Sequence, residues 1–430
     1  MAWQRTLSRY NFKRSRNVGG LAMDGLLTVS MIVKNEEIFL PRCLESVQGV
    51  ADDIVIVDTG STDQTLAIAH QFGARTRQIE WPNDFAKARN VSLEMVQTPW
   101  VLVMDADEVL VAEDIPRLEK AIKEPFADAY NIRIVSLANK AENISESYVA
   151  RLFRHVPGIF WEGKIHEQII PSLIRAKLTL MQLNVRLLHY GYMDGVSHER
   201  NKGERNLQLL LEALKDNPKD AYLTWQLSQT YLGLNRSEEA QAMARKVFKL
   251  ITPDSPFHPL TYVLLAKAYW QGNRPRKALT VLEEAAFQYP TFTDLFFLQG
   301  LIRTHLKEWD KALYAFRQCL KLGEPQGFLI TETGVGSFKA LFRIAQCHTN
   351  LHQTKEALAH LLMAIKIQPT FREAWQLLFL LFNGRPIEEL AQTVQMVLTA
   401  PQIAAAFSTW PERDANEEAL VRYIGSLSVS

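Results

Sequence analysis

The chain has 430 residues, of which 47% are hydrophobic and 22% charged, with a formal net charge of +1. That length exceeds what one hydrophobic core usually organises, so two or more domains are expected. The composition excludes a disordered polyelectrolyte, and the balanced charge gives no electrostatic reason to bind nucleic acid.

Residues 1–23 contain Arg5, Arg9, Lys13, Arg14 and Arg16 and no acid, yet no apolar stretch follows as a secretory signal requires. Residues 1–25 are read as a basic flexible tail. From Leu27 short β-rich runs alternate with helical ones. A strand LTVSMIV (Leu27–Val33) precedes a helix at Phe39–Val47, and a second strand DIVIVD ends at Asp58. The turn Asp58 to Asp63 then caps a helix, TLAIAHQF. An extended stretch at Arg75–Ile79, a helix at Phe85–Val96 and an apolar strand at Trp100–Met104 complete the front portion. Such βαβ alternation predicts a mostly parallel sheet that binds ligands at the carboxyl ends of its strands. Cys43, Cys319 and Cys347 are too scattered for a disulfide framework or a zinc clip. No apolar run approaches the roughly 18 residues of a membrane span, and a cytoplasmic protein is expected.

Beyond residue 200 the strand signals stop and a repeat begins. With Ala278 as origin, Ala266 lies twelve residues before, Tyr269 nine before, Leu282 four after, Ala285 seven after and Pro290 twelve after. The same frame on Ala357 gives Ala345, Leu361, Ala364 and Pro369; on Ala312 it gives Gly300, Phe316 and Cys319; on Ala240 it gives Ser228, Tyr231 and Val247. Small residues recur where paired helices would touch and large ones where a groove needs filling. The pattern resembles tetratricopeptide repeats, with origins spaced roughly 34 to 45 residues apart. The longest junction holds the Gly-rich stretch Gly323–Ser337. Residues 26–200 are thus expected to form the front domain, 201–400 a helical solenoid and 401–430 a C-terminal helical cap or tail.

The most informative chemistry is Asp105-Ala106-Asp107, directly after a buried strand and followed by Glu108. Closely spaced carboxylates at a strand end make a hard-oxygen site suited to Mg²⁺ or Mn²⁺ that also touches phosphate. A solvated turn is the plain alternative. Asp58 ends a neighbouring strand, where an acid can accept bonds from a base or ribose; helix capping competes for it. Asn83 to Asn90 starts a helix at an Asn or Asp cap and places Arg89 one turn inside, near Asp84 and Lys87. A helix start with a guanidinium suits phosphate, and a solvated helix face is the equal alternative.

SMIVKNEE (Ser30–Glu37), VDTGSTDQT, WPNDFAKARN (Trp81–Asn90) and MDADE occur in the order and spacing of family 2 glycosyltransferases of the GT-A fold. RLFRHVPGIFWEGKIHEQI and LLHYGY (Leu187–Tyr192) resemble a branch of that family carrying tetratricopeptide repeats, which includes the peptide S-glycosyltransferases that modify glycocin bacteriocins. The resemblance implies an α/β GT-A domain, Rossmann-like as in nucleotide-diphospho-sugar transferases, followed by an all-α tetratricopeptide-type solenoid. It also implies that Ile32, Val33, Asn35 and Glu36 hold uridine beside Asp58. Asp84 and Arg89 would line the nucleotide pocket, and Asp105, Ala106 and Asp107 would form the DXD segment. His189 would complete the coordination of a divalent cofactor, Mn²⁺ or Mg²⁺, with Asp105 and Asp107. Glu167, next to His166, is the candidate general base. Without the resemblance His189 would be read as a core histidine, and His166 with Glu167 as a hydrogen-bonded pair at a strand end.

The expected reaction is an inverting transfer from a UDP-sugar donor. The long repeat surface suggests a peptide or protein acceptor offering Ser, Thr or Cys, and it leaves room for a homodimer through the repeats. Rival readings are transfer to a cell-envelope glycan or lipid-linked acceptor, a nucleotidyltransferase, and a non-catalytic repeat scaffold with a degenerate transferase domain. A nucleotidyltransferase would show a Gly-rich phosphate loop where this chain has KNEE.

Overall fold

The computed structural model describes residues 25–138, 145–192, 196–255, 257–324, 333–410 and 413–427. The basic tail expected over residues 1–25 therefore lies almost wholly outside the described residues, as does the middle of the Gly-rich junction.

The front domain is built on eight strands: β1 (Leu27–Val33), β2 (Asp53–Asp58), β3 (Arg75–Gln78), β4 (Trp100–Val103), β5 (Glu108–Leu110), β6 (Ala129–Ala138), β7 (Ser145–Arg154) and β8 (Leu180–Tyr192). They form one sheet in the order β3-β2-β1-β4-β7-β6-β8-β5. The helices are α1 (Leu40–Val47), α2 (Thr65–Gln71), α3 (Phe85–Glu94), α4 (Ile115–Lys123) and α5 (Ile170–Arg175).

Alternation along the central strands explains how both faces are covered. Leu27, Val29, Met31 and Val33 of β1 join Trp100 and Leu102 of β4 in one core, against Leu40, Cys43, Leu44 and Val47 of α1. Val101 and Val103 point the other way, into a second core with Ala86 and Leu93 of α3. Polar positions on that second face of β1 are small and paired. Thr28 Oγ1 lies 2.7 Å from Thr98 Oγ1, and Ser30 Oγ lies 2.8 Å from Ser92 Oγ of α3.

The expectation of a mostly parallel sheet holds only for half of it. β3, β2, β1 and β4 are parallel. β7 then enters antiparallel to β4 and to β6, β8 runs parallel to β6, and β5 runs antiparallel to β8. β6 and β7 follow each other in sequence and pair antiparallel, as a chain that turns straight back must, so the second half cannot continue the βαβ pattern.

From Val196 on, the described elements are helices. α6 (Val196–Asp216) leads into α7 (Ala221–Gly233), α8 (Ser237–Phe248), α9 (Phe257–Gln271), α10 (Pro275–Gln288), α11 (Thr293–His305), α12 (Trp309–Leu322), α13 (Phe338–Asn350) and α14 (Thr354–Ile367). The chain closes on α15 (Arg372–Leu381), α16 (Ile387–Gln395), α17 (Ala400–Ser408) and α18 (Ala415–Leu427). The repeat frame falls on the helix contacts. Ala240, Ala278, Ala312 and Ala357 have no exposed surface, and neither do Ser228, Ala266 and Ala345 twelve residues before three of them. Ser228 Oγ donates to the carbonyl of Ala240 at 2.7 Å, a bond that needs the two backbones close together. At Gly300 an added Cβ would run into the Phe316 ring, so glycine is what lets α11 and α12 meet there.

The two regions share a core. Ile165 of the front domain is buried among Leu207, Leu210 and Leu214 of α6 and Leu227 and Tyr231 of α7, and Phe85 packs against the same cluster.

Candidate active site

The carboxyl ends of β1, β2 and β4 lie on adjacent strands, and the loops leaving them are laced together. Asn35 adopts a left-handed backbone (φ 57°). Its amide donates to Ser61 Oγ at 2.9 Å, and its side-chain oxygen accepts from the Thr62 amide at 2.8 Å. The Glu36 amide donates to Thr65 Oγ1, the Glu37 amide to Asp63, and the Gln64 amide back to Glu37. Val33 is buried and Ile32 half-buried beneath this lacing. The Val33 carbonyl accepts from both the amide and the hydroxyl of Thr59.

Asp58 has no exposed surface. Its carboxylate accepts from the amides of Gly60 and Ser61, from Ser61 Oγ and from Gln78 Nε2. It holds its own turn closed and bonds to neither Asp105 nor Asp107. Asp84 caps α3, its Oδ1 accepting from the Lys87 amide at 2.9 Å. Its carboxylate is thus spent on the helix start.

The end of β4 carries the strongest electrostatics. Asp105 accepts from Arg89 Nη2 at 2.7 Å on Oδ1 and from Arg151 Nη2 at 2.6 Å on Oδ2. Arg89 in turn donates through Nε to Glu167 Oε1 at 2.6 Å, and Arg151 reaches Glu108 Oε1 at 3.2 Å. The Asp105 amide donates to Glu108 Oε2 at 2.8 Å, closing the turn around the buried Ala106. Burial works to raise the Asp105 pKa, but the guanidiniums of Arg151 and Arg89 hold the carboxyl well below the usual carboxylate range. Glu108 goes the other way: burial, seconded by the Asp105 charge, pushes it up to about 7 against the pull of Arg151.

Asp107 projects to a different neighbour. Its Oδ2 lies 3.1 Å from His189 Nε2, and Ser136 Oγ lies 3.4 Å from His189 Nδ1. The two residues meet because β5 pairs with β8 with Glu108 opposite His189. Burial would lower the His189 pKa, but the bond to Asp107 and the surrounding carboxylates raise it.

Glu167 sits on a strap, residues 162–168, pinned at its ends by reciprocal backbone bonds between Glu162 and Gln168 at 3.0 and 2.8 Å. His166 precedes it with a left-handed backbone (φ 53°). Burial lowers the His166 pKa, and its ring meets Tyr222 of α7 edge-on.

The structure therefore brings Asp105, Arg89 and Glu167 into one network and sets Asp107 against His189 beside it. Asn35, Glu36 and Asp58 form the rim at the next strands, while Asp84 and His166 are engaged elsewhere. With both Asp105 oxygens taken by arginines, Asp107 is the carboxylate of the pair that faces His189. Among the described residues no three His, Cys, Asp or Glu side chains converge on one metal position. Sequence reasoning gave no role to Arg151 or Glu108. The available signal was an arginine inside the apolar strand run VARLF, a charge that needs a buried partner.

Residues 28–169 match the profile of glycosyl transferase family 2, and residues 263–326 match that of a tetratricopeptide repeat. A TPR repeat-containing protein of Synechococcus elongatus is 32% identical over 256 residues, covering 57% of this chain and 62% of the relative. The SPbeta prophage-derived glycosyltransferase SunS of Bacillus subtilis is 25% identical over 284 residues, covering 64% and 66%. The lipopolysaccharide core biosynthesis glycosyltransferase LpsC of Rhizobium meliloti is 34% identical over 156 residues, covering 34% and 57%. In each case the match spans less than two thirds of the relative's own length. The chain carries a family 2 glycosyltransferase domain of α/β architecture, joined to a helical region of tetratricopeptide repeats.

Proposed function

We propose that the protein is an inverting, metal-dependent glycosyltransferase that moves a sugar from a UDP-sugar to a nucleophile on a peptide or protein. The observation that carries this reading is the strand end at Asp105–Asp107, where an arginine-locked carboxylate stands beside a second carboxylate paired with a histidine.

That second pair fits a divalent ion. Mg²⁺ and Mn²⁺ are commonly held by one or two protein ligands with substrate phosphates completing the shell, and Asp107 with His189 Nε2 supplies such a set. Ser136 near Nδ1 keeps the other ring nitrogen engaged. A cation there supplies positive charge to a departing diphosphate. The protein's own residues do the rest. Arg89 and Arg151 fix Asp105, and Arg89 orients Glu167, whose Oε2 makes no further hydrogen bond among the described residues. That oxygen takes the proton of the acceptor nucleophile as the nucleophile bonds to the anomeric carbon and the bond from that carbon to UDP breaks.

The acceptor reading rests on the repeats and on the likeness to SunS. The groove between α10, α11 and α12 has a volume of about 430 Å³ and is lined in part by Phe296, Arg303 and Tyr314; it is one stretch of the longer repeat surface on which a peptide could lie. The likeness to LpsC favours a second reading, an envelope glycan as acceptor. A degenerate scaffold is disfavoured by the complete Arg89–Asp105–Arg151 network.

UDP release from candidate UDP-sugars, with and without Mn²⁺, tests the reaction, and mass spectrometry of offered peptides and glycans tests the acceptor. Asp107→Ala is expected to abolish transfer while leaving the fold intact by circular dichroism. Wild-type turnover in that variant removes the metal assignment.

A further inference from the structure

The strap that carries Glu167 is held on one side by the front domain and on the other by the repeats. On the inner side, Asn90 bonds both ways with the backbone of Trp161, the Phe85 amide donates to the Lys164 carbonyl at 2.8 Å, and Arg89 holds Glu167. On the outer side the contacts come from α6 and α7. Ile165 is buried among their leucines, and Lys164 pairs with Asp216.

The most specific outer contact is Tyr222 of α7. Gln168 Nε2 donates both to the His166 carbonyl at 3.1 Å and to the Tyr222 hydroxyl at 3.4 Å, while Gln226 Nε2 donates to that hydroxyl at 2.9 Å. The His166 ring stands edge-on to the Tyr222 ring, with centroids 6.5 Å apart and planes at 82°. His166 is the residue whose backbone is left-handed. A non-glycine residue keeps that conformation only when its surroundings fix it. The bond of His166 Nε2 is missing as well, since that buried atom has no hydrogen-bond partner. The strained, under-satisfied residue immediately before the candidate base is thus held by a side chain from the other domain.

We propose that Tyr222 is a positioning residue for sugar transfer, contributed by the repeat region: its hydroxyl, through Gln168, fixes the His166 backbone and so presents Glu167 to Arg89. Tyr222 itself touches no reacting atom. The repeats are then part of the catalytic apparatus in addition to any docking they perform. The consequence for turnover rests on the transfer reading above; the conformational claim does not.

The full-length chain carrying Tyr222→Phe keeps the ring and loses only the hydroxyl, so its packing survives. Amide hydrogen exchange read at Glu162 and Gln168 is expected to accelerate about tenfold, as local opening of the strap becomes easier. With a productive donor and acceptor, kcat is expected to fall about fivefold, the worth of one neutral hydrogen bond, while UDP affinity stays within about twofold. Gln168→Leu should give at least as large a loss, because it also removes the bond to the His166 carbonyl, and the double variant should lose no more than Gln168→Leu alone, because the Tyr222 hydroxyl acts through Gln168. Unchanged exchange in Tyr222→Phe overturns the inference, and so do additive losses or faster exchange with unchanged kcat. If the wild type transfers no sugar, the transfer reading fails, and the exchange measurement still decides whether Tyr222 holds the strap.

Discussion

Arg89→Met is the sharpest probe of the buried network. The arginine side chain is 7% exposed and bridges Glu167, 13% exposed, and Asp105, 35% exposed. Its removal strands Glu167 in a nearly dry position, whereas Asp105 keeps Arg151 and some water. Breaking a buried ion pair costs about 3 to 5 kcal/mol, and the partial compensation of Asp105 places this case at about 3 kcal/mol. Methionine roughly fills the space of the arginine stem, so the loss reports charge rather than a cavity. Urea unfolding followed by tryptophan fluorescence suits the measurement, because the Arg89 guanidinium lies 5.2 Å from the Trp161 ring centroid. Adding Glu167→Gln removes the stranded charge and should recover about 1 to 2 kcal/mol of the loss. A loss below about 1 kcal/mol for Arg89→Met, the size of an ordinary surface pair, refutes the picture of a desolvated network.

Two further outcomes follow from local geometry. Because the bond to Asp107 raises the His189 pKa, that pair stabilises the fold fully below about pH 6.5, and the contribution is lost as pH rises through the raised folded value. Protonation also blocks Nε2 as a ligand, so Mn²⁺ affinity in the presence of UDP should weaken from about pH 8 to about pH 6; titration calorimetry showing flat affinity removes His189 from the ion's shell. Gly300→Ala drives a Cβ into the Phe316 ring and should destabilise the repeats by about 1 to 3 kcal/mol through overpacking, read as a lower urea midpoint. A neutral result would mean that α11 and α12 separate easily.

What sequence reading recovered, it recovered through local physics. β1 and β2 are found with the bounds expected from their apolar runs, and α3 begins at an Asp cap. The small-residue frame of the repeats marks positions with no exposed surface, because helix contact leaves no room for larger side chains. The second half of the sheet was not legible. SESYVARLFR alternates as a strand should, yet nothing local says that it lies between β4 and β6 and runs against both. Arg151 went unassigned for the same reason, since its partners Asp105 and Glu108 lie more than forty residues earlier. Asp58 illustrates a different limit. Part of the turn that follows it does serve the next helix, Asp63 accepting from the Thr65 amide at 3.0 Å, but the amides of Gly60 and Ser61 turn back on Asp58 itself.

The pairing of β5 with β8 makes the contact between Asp107 and His189 a matter of strand alignment. His189 stands opposite Glu108 on one edge and Ser136 on the other, locked between two neighbours. A shift of β8 by a single position would swing the imidazole to the opposite surface and replace it with an aliphatic or phenolic group from Leu188 or Tyr190. A one-residue insertion or deletion in this ribbon, even far from Asp107, would therefore break the contact between Asp107 and His189 while leaving the hydrophobic content of the strand almost unaltered.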